Sequence, residues 1–146
     1  MGKLLLRNSE SMFESNKISY LQMIQNIIER MSNIGLSIKG FCVAGIGTVM
    51  TISDFNIDII LLKNLLIVTI LFLLLDCYYL NLERNYRTLY NLVRLSNDEC
   101  FIDFDLSLKK VCKEKYCYIK CLISKSNLLF YGAIIIIIII NYINIS

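Results

Sequence analysis

One lysine and one aspartate stand inside otherwise apolar segments of this chain, and their positions are the first hint of chemistry. Lys39 lies near the start of the apolar segment 36–52, and Asp76 lies near the end of the apolar segment 65–80. A charge in a membrane-spanning helix is costly, so such side chains usually face an opposite charge or a water-filled cavity. Two roles are open: a gate or pore-lining pair that controls conduction, or two interfacial residues that hold two helices in register. The second role is favoured because both residues lie near the ends of their segments, at headgroup depth.

The sequence offers few residues that are suited to catalysis. The 146 residues include no histidine, which removes the commonest general base and the commonest zinc ligand. The sequence also shows no Gly-rich phosphate loop, no nucleophile elbow and no paired catalytic carboxylates. We therefore predict that the protein is not an enzyme and needs no cofactor.

A basic cluster offers a binding surface instead. Lysines lie close together with tyrosines interleaved, and charge plus stacking could hold a nucleotide or an oligonucleotide, while charge alone could hold anionic lipid. The alternative, which we favour, is the ordinary basic cytoplasmic face of a membrane protein. The lysines are Lys109, Lys110, Lys113 and Lys115.

Four cysteines fall in the same part of the chain. Cys112, Cys117 and Cys121 are separated by four and three residues, with Cys100 upstream. Zinc sites usually use tighter pairs combined with histidine or further cysteines. Ordinary thiols are the favoured interpretation, and no metal is predicted.

The composition places the chain in a membrane. Hydrophobic residues make up 56% of it, and the mean hydropathy is +0.59. Three segments approach the roughly 20 residues that a spanning helix needs: 36–52, 65–80 and 128–145. The isoleucine tract 134–140 could form an aggregating β-strand by propensity, but its length and lack of polar alternation favour a helix in lipid. The alternative for the first segment is a buried helix of a soluble protein.

Charge placement predicts the topology. Lysines and arginines crowd the segment before the first span and the long segment between the second and third spans, whereas the loop between the first two spans has only Lys63. The positive-inside rule then puts the N-terminus and the segment 81–126 in the cytoplasm, and Ser146 outside. We predict a membrane protein with this orientation.

The first two spans should form one helical hairpin with its turn near residue 57 or 58. Antiparallel pairing about that centre sets Lys39 beside Asp76 and brings Arg30 near Glu83. It also lays two apolar stripes, each with helical spacing, against each other in a cytoplasmic stalk. The stripes are Ile18, Leu21, Ile24, Ile28 and Met31, and Tyr79, Leu82, Tyr86, Leu89 and Val93.

The segment 96–126 differs from the helical stripes. Apolar and polar residues alternate over 102–109, and a second β-leaning run covers 116–123. A small β-hairpin packed on the stalk is predicted, and an amphipathic segment lying on the membrane surface is the alternative.

Small residues crowd the first span and give it a smooth face. Such a face lets helix backbones approach closely. It serves either as an oligomer interface or pore lining, or as a contact with the chain's own second or third helix. The residues that form it are Gly40, Ala44, Gly45 and Thr48.

Three sequence elements resemble those of small membrane proteins of bacterial anti-phage defence systems. Residues 29–40 resemble an "RM-x-N-S…L-K-G" element, and residues 75–90 resemble an "LD-x-YYL…ER…LY" element. Residues 126–132 resemble the start of the last span in those proteins. The sequence departs from the pattern at Ile34-Gly35 and at Phe41, where tryptophan is usual.

The resemblance is to membrane effectors such as those of Hailong-type systems, which are paired with a nucleotidyltransferase. It implies a homo-oligomeric, channel-like effector that is held off until infection and then depolarises the inner membrane, causing abortive infection. The partners that it implies are the lipid bilayer, further copies of the chain, and a nucleotidyltransferase or its nucleotide or oligonucleotide signal. The alternative function is a non-conducting membrane scaffold or accessory subunit that recruits a cytoplasmic partner.

The expected architecture is therefore mainly α-helical and membrane-integral, with three transmembrane helices, a cytoplasmic helical stalk and a small β-leaning insertion. It divides into an N-terminal amphipathic helix (1–35), a transmembrane hairpin (36–80), a cytoplasmic helix with a basic segment (81–126) and a C-terminal transmembrane helix (127–146).

Overall fold

A computed structural model describes residues 2–53, 58–96, 104–111 and 118–145, with side chains from residue 12 onward except at 110, 144 and 145. Four α-helices make up most of it. They are α1 (Gly2–Ile52), α2 (Ile59–Leu95), α3 (Tyr118–Leu122) and α4 (Lys125–Ile145), and a 3-10 turn covers Leu108–Lys110.

The first two helices are longer than a bilayer is thick. At 51 and 37 residues, α1 and α2 are about 77 and 56 Å long, against about 30 Å of hydrocarbon. The 21 residues of α4 give about 32 Å, which matches a single crossing. The helix α1 runs through residue 35 without a break, so the predicted N-terminal helix and first span are one element.

A three-helix section forms where α4 lies beside the hairpin of α1 and α2. Leu62 and Leu65 of α2 and Ile138 of α4 are buried together, with Ile46 and Met50 of α1 packed against them. The isoleucine tract is helical here, which confirms the helix prediction over the strand. Because α4 covers only this part, residues 12–34 of α1 and 81–95 of α2 continue beyond it as a two-helix extension.

Among the described residues, three helices are long and apolar enough to cross a membrane: Met12–Ile52, Ile59–Leu95 and Lys125–Ile143. Only 11%, 22% and 17% of their most apolar windows is buried inside the chain. A water-soluble protein buries such surface, because large exposed apolar patches are rare on soluble monomers. Lipid is the solvent that suits these helices, and the first segment is not a helix buried within this chain, as the soluble alternative requires.

The two-helix extension has its own apolar core. Tyr20 and Ile24 of α1 pack against Leu89 and Val93 of α2, and all four are fully buried. The predicted stripes therefore meet, but Ile18 does not take part, because it is 63% exposed. At the end of this core, Lys17 Nζ donates to the Ser96 carbonyl oxygen at 2.6 Å. A cation at the carboxyl end of a helix complements its exposed carbonyl groups.

The predicted β-hairpin is wrong over the described residues. Residues 104–107 have no regular structure, Leu108–Lys110 is a 3-10 turn, and Tyr118–Leu122 is helical. The alternating apolar residues do face the helices, since Leu106 and Leu108 pack against the extension core. In the part of the chain that the structure describes, no strand pairs with this segment, and the positive φ of 54° at Phe104 turns the backbone out of an extended path. The rest of the prediction falls outside the described residues.

Candidate functional site

An ion pair joins α1 to α2 at one end of the three-helix section. Lys39 Nζ lies 2.5 Å from Asp76 Oδ2, and the two side chains are 22% and 3% exposed. The pairing of Lys39 with Asp76 that the hairpin register predicts is confirmed. The same register recurs in the extension, where Lys17 meets Ser96.

Gly35 brings the two helices close at this point, and sequence reasoning missed its role. A Cβ at residue 35 would lie 3.3 Å from Asp76 Oδ1, which is tighter than ordinary contact. Gly35 is one helical turn before Lys39, so both residues present the same side of α1 to the carboxylate. The spacing of four from Lys39 could have revealed it.

The third helix reaches the ion pair through Tyr131. Its side chain is buried, and its hydroxyl donates to the Phe72 carbonyl oxygen at 3.3 Å and lies in hydrogen-bonding range of Asp76. One carboxylate thus faces a lysine, a glycine and a tyrosine from two neighbouring helices. All three candidate spans meet at Asp76.

A second polar contact fastens the start of α4. Asn127 is 1% exposed, and its Nδ2 donates to Cys77 Sγ at 3.5 Å and to the Cys121 carbonyl oxygen at 3.3 Å. Arg84 adds a link from α2, donating to the Lys120 carbonyl oxygen at 3.4 Å. These bonds tie α2, α3 and α4 together beside the ion pair, and no sequence pattern points to Asn127.

The small-residue face of α1, formed by Gly40, Ala44, Gly45 and Thr48, points away from the chain's other helices. All four residues are exposed, and a Cβ at Gly40 or Gly45 would meet nothing within 4 Å. Thr48 Oγ1 donates to the Ala44 carbonyl oxygen at 2.8 Å, so its hydroxyl already has a partner. Among the described residues, the chain's own second and third helices therefore leave most of this face uncovered. Only Gly45 borders another helix, at the edge of an apolar groove of about 580 Å³ between α1 and α2.

The predicted stalk residues are only partly brought together. Glu83 pairs with Arg87, one turn further along α2, at 2.7 Å, while Arg30 is exposed. No ion pair joins Arg30 to Glu83, because Arg87 occupies the carboxylate from the same helix. Tyr86 packs against the extension core.

The basic cluster is described only in part. Lys109 is exposed and lines a cavity beside α2, whereas the side chain of Lys110 and all of Lys113 and Lys115 lie outside the described residues. Within the described part of the chain, no group of three acidic or cysteine side chains could hold a metal ion. Of the four clustered cysteines only Cys121 is described, so the zinc alternative stays untested.

Comparison with protein-family models, with curated proteins and with solved structures finds no match to this chain.

Proposed function

We propose that this chain is one subunit of a homo-oligomeric, gated membrane channel, and that it acts as an effector of bacterial anti-phage defence by depolarising the inner membrane. The observation that carries the proposal is the uncovered small-residue face of α1. In lipid, association of helices depends on close packing rather than on the hydrophobic effect, and small residues permit it. A second copy of the chain is the natural occupant of this face.

One copy alone has no room for an ion path. The interior of its three-helix section is filled by apolar side chains such as Leu62, Leu65 and Ile138. Conduction therefore requires several copies, with the path between subunits rather than within one. The resemblance to anti-phage effectors supplies the biological setting.

The Lys39–Asp76 pair is suited to hold the closed state. It joins α1, which carries the small-residue face, to α2, and Tyr131 of α4 adds a third contact. With the positive-inside orientation, this junction lies at the cytoplasmic end of the spans and the two-helix extension projects into the cytoplasm. A signal that moves the two-helix extension would therefore act directly on the Lys39–Asp76 contact.

The test is reconstitution of the full chain into liposomes with a membrane-potential dye, together with mass determination in detergent. We expect a discrete homo-oligomer. The loss of membrane potential that the dye reports should be larger in Lys39→Met, the variant that breaks the pair. Ala44→Phe should reduce both oligomer and conduction, because it fills the small-residue face.

The matched control is Leu71→Phe, which enlarges a residue that is 61% exposed on α2 and should change neither readout. A monomer that conducts under none of these conditions would overturn the proposal. If that monomer instead retains a cytoplasmic partner on purification, it is a membrane scaffold.

A further inference from the structure

A cavity of about 500 Å³ lies between α2, the 3-10 turn and the start of α3. It is separate from the helix junction at Asp76. One wall is the face of α2 that carries Asn81 and Asn85, which lie one turn apart. The opposite wall includes Lys109, and Tyr118 stands at its edge. The volume is within the range of small-molecule sites, about 300–1,000 Å³.

The polar groups that line this cavity are mainly donors. Two side-chain amides, one ammonium group and one phenol can all donate hydrogen bonds. Among the described lining residues there is no carboxylate, and the remainder are apolar, from Leu82, Leu108 and Val111. A donor-rich site with one cation suits an anion with several oxygens and an apolar body.

Asn81 supplies an independent observation. It is 7% exposed, and its Oδ1 has no hydrogen-bond partner among the described residues, unlike the great majority of buried polar atoms. Leaving a buried acceptor unpaired costs free energy that a ligand donor can recover. Rotation of the side-chain amide at the wall of the cavity brings this oxygen to a ligand hydroxyl or amine.

We propose that this cavity binds a phosphate ester. The phosphate oxygens accept from Lys109 and from the Asn85 amide group, a hydroxyl or amine of the ligand donates to Asn81 Oδ1, and the ester body lies against the apolar wall. Arg84 holds α3 against α2 through its bond to the Lys120 carbonyl oxygen, which keeps the far wall in place.

Two sources can supply such a ligand. Asn81 is five residues beyond Asp76 on α2, about 7.5 Å along the helix axis, so the cavity lies near headgroup depth in the proposed topology. A phospholipid headgroup is therefore one source, and a soluble phosphate ester from the cytoplasm is the other. The proposal deepens the proposed function by naming what the basic segment binds, but binding does not require conduction.

The experiment uses the full chain in nanodiscs of phosphatidylcholine, with and without phosphatidylglycerol. Phosphorus NMR and calorimetry with inorganic phosphate and glycerol 3-phosphate test the soluble source, and the rise in Tm with phosphatidylglycerol tests the lipid source. At least one arm should show saturable binding or a rise in Tm. Each result is independent of whether the protein conducts.

Two variants and one control locate the site. Lys109→Gln removes the cation and Asn81→Asp places a negative charge at the wall, so each should weaken binding by about tenfold or more. Lys63→Gln removes an exposed lysine at the other end of α2 and should leave binding unchanged. If Asn81→Asp does not fold, the exposed Lys109→Gln decides alone. Equal binding by Lys109→Gln and Lys63→Gln, or no response in either arm, overturns the proposal.

Discussion

Gly35 lies directly against Asp76, where a Cβ would come within 3.3 Å of the carboxylate oxygen Oδ1. The carboxylate has little freedom to retreat, because its other oxygen is bonded to Lys39. The absence of a side chain at residue 35 is therefore what lets α1 approach α2 closely enough for the ion pair to form.

Replacing Gly35 with valine should destabilise the hairpin. The added methyl groups overlap the Asp76 carboxylate, and overpacking of this kind costs about 1–3 kcal/mol. Gly47→Val is the matched control, because it makes the same change in the same helix where a Cβ meets nothing within 4 Å. Thermal unfolding in detergent should show a lower Tm for Gly35→Val only. Equal losses would mean that helix propensity, rather than contact with Asp76, causes the effect.

Replacing one partner of the Lys39–Asp76 ion pair should lower the free energy of unfolding more than replacing both partners. Lys39→Met leaves a carboxylate that is 3% exposed without its cation, and an uncompensated buried charge costs about 3–5 kcal/mol. The double variant Lys39→Met with Asp76→Leu replaces the pair by apolar groups and should recover most of that loss. Denaturant unfolding of both single variants and the double variant measures the coupling. Additive losses would show that the two residues do not interact in the membrane.

The helices and the ion pair could be predicted from the sequence because they depend on simple periodic signals. Long apolar runs identify spans, and two isolated charges on opposite sides of one turn define a register. The sequence could not show which neighbours complete the contact. Ile18 fits a spacing of three from Leu21 yet lies off the buried face, while Tyr20, four residues before Ile24, is fully buried. The rotation of α1 about its own axis determines which of the two side chains is buried, and the Lys39–Asp76 contact fixes that rotation.

The prediction of a strand over 102–109 failed in its described part, residues 104–109, for a related reason. Alternation of apolar residues records only that one side of a segment is buried. Here Leu106 and Leu108 on that side pack against the core of the two-helix extension, and the rings of Tyr20 and Phe104 lie 5.5 Å apart. A strand also needs a neighbouring backbone, and sequence alternation carries no information about whether one is present.

Tyr20→Phe should loosen the segment 104–111 without unfolding the helices. The Tyr20 hydroxyl donates to the Asp105 carbonyl oxygen at 2.5 Å, and a net hydrogen bond contributes about 1 kcal/mol. Hydrogen exchange should therefore speed up in residues 104–111, while exchange in α1 and α2 stays unchanged. The control is Tyr78→Phe, at a tyrosine that is 46% exposed. Faster exchange throughout α2 would instead show that the Tyr20 hydroxyl stabilises the pair of helices α1 and α2.

Asn127→Leu should weaken the docking of α4 on α2. The substitution removes the donor that reaches Cys77 Sγ and the Cys121 carbonyl oxygen, and leaves that carbonyl without this bond. Side-chain hydrogen bonds between helices in membranes contribute about 0.6 kcal/mol on average and at most about 1.7 kcal/mol. We therefore expect a small fall in Tm, because Tyr131 still holds α4 through its bond to Phe72.

A more sensitive readout of the same change is the reactivity of Cys77, which is 2% exposed in the folded chain. Opening of the contact between α2 and α4 exposes the thiol to alkylation, whose rate is followed by peptide mass spectrometry. Because RT is about 0.6 kcal/mol, the rate should rise about threefold for each 0.6 kcal/mol of docking free energy that is lost. Asn141→Leu is the matched control, because the hydrogen bond that Asn141 makes to a described residue lies within α4, to the Ile137 carbonyl oxygen. An unchanged rate in Asn127→Leu, or an equal rise in both variants, would show that Asn127 does not fasten α4 to α2.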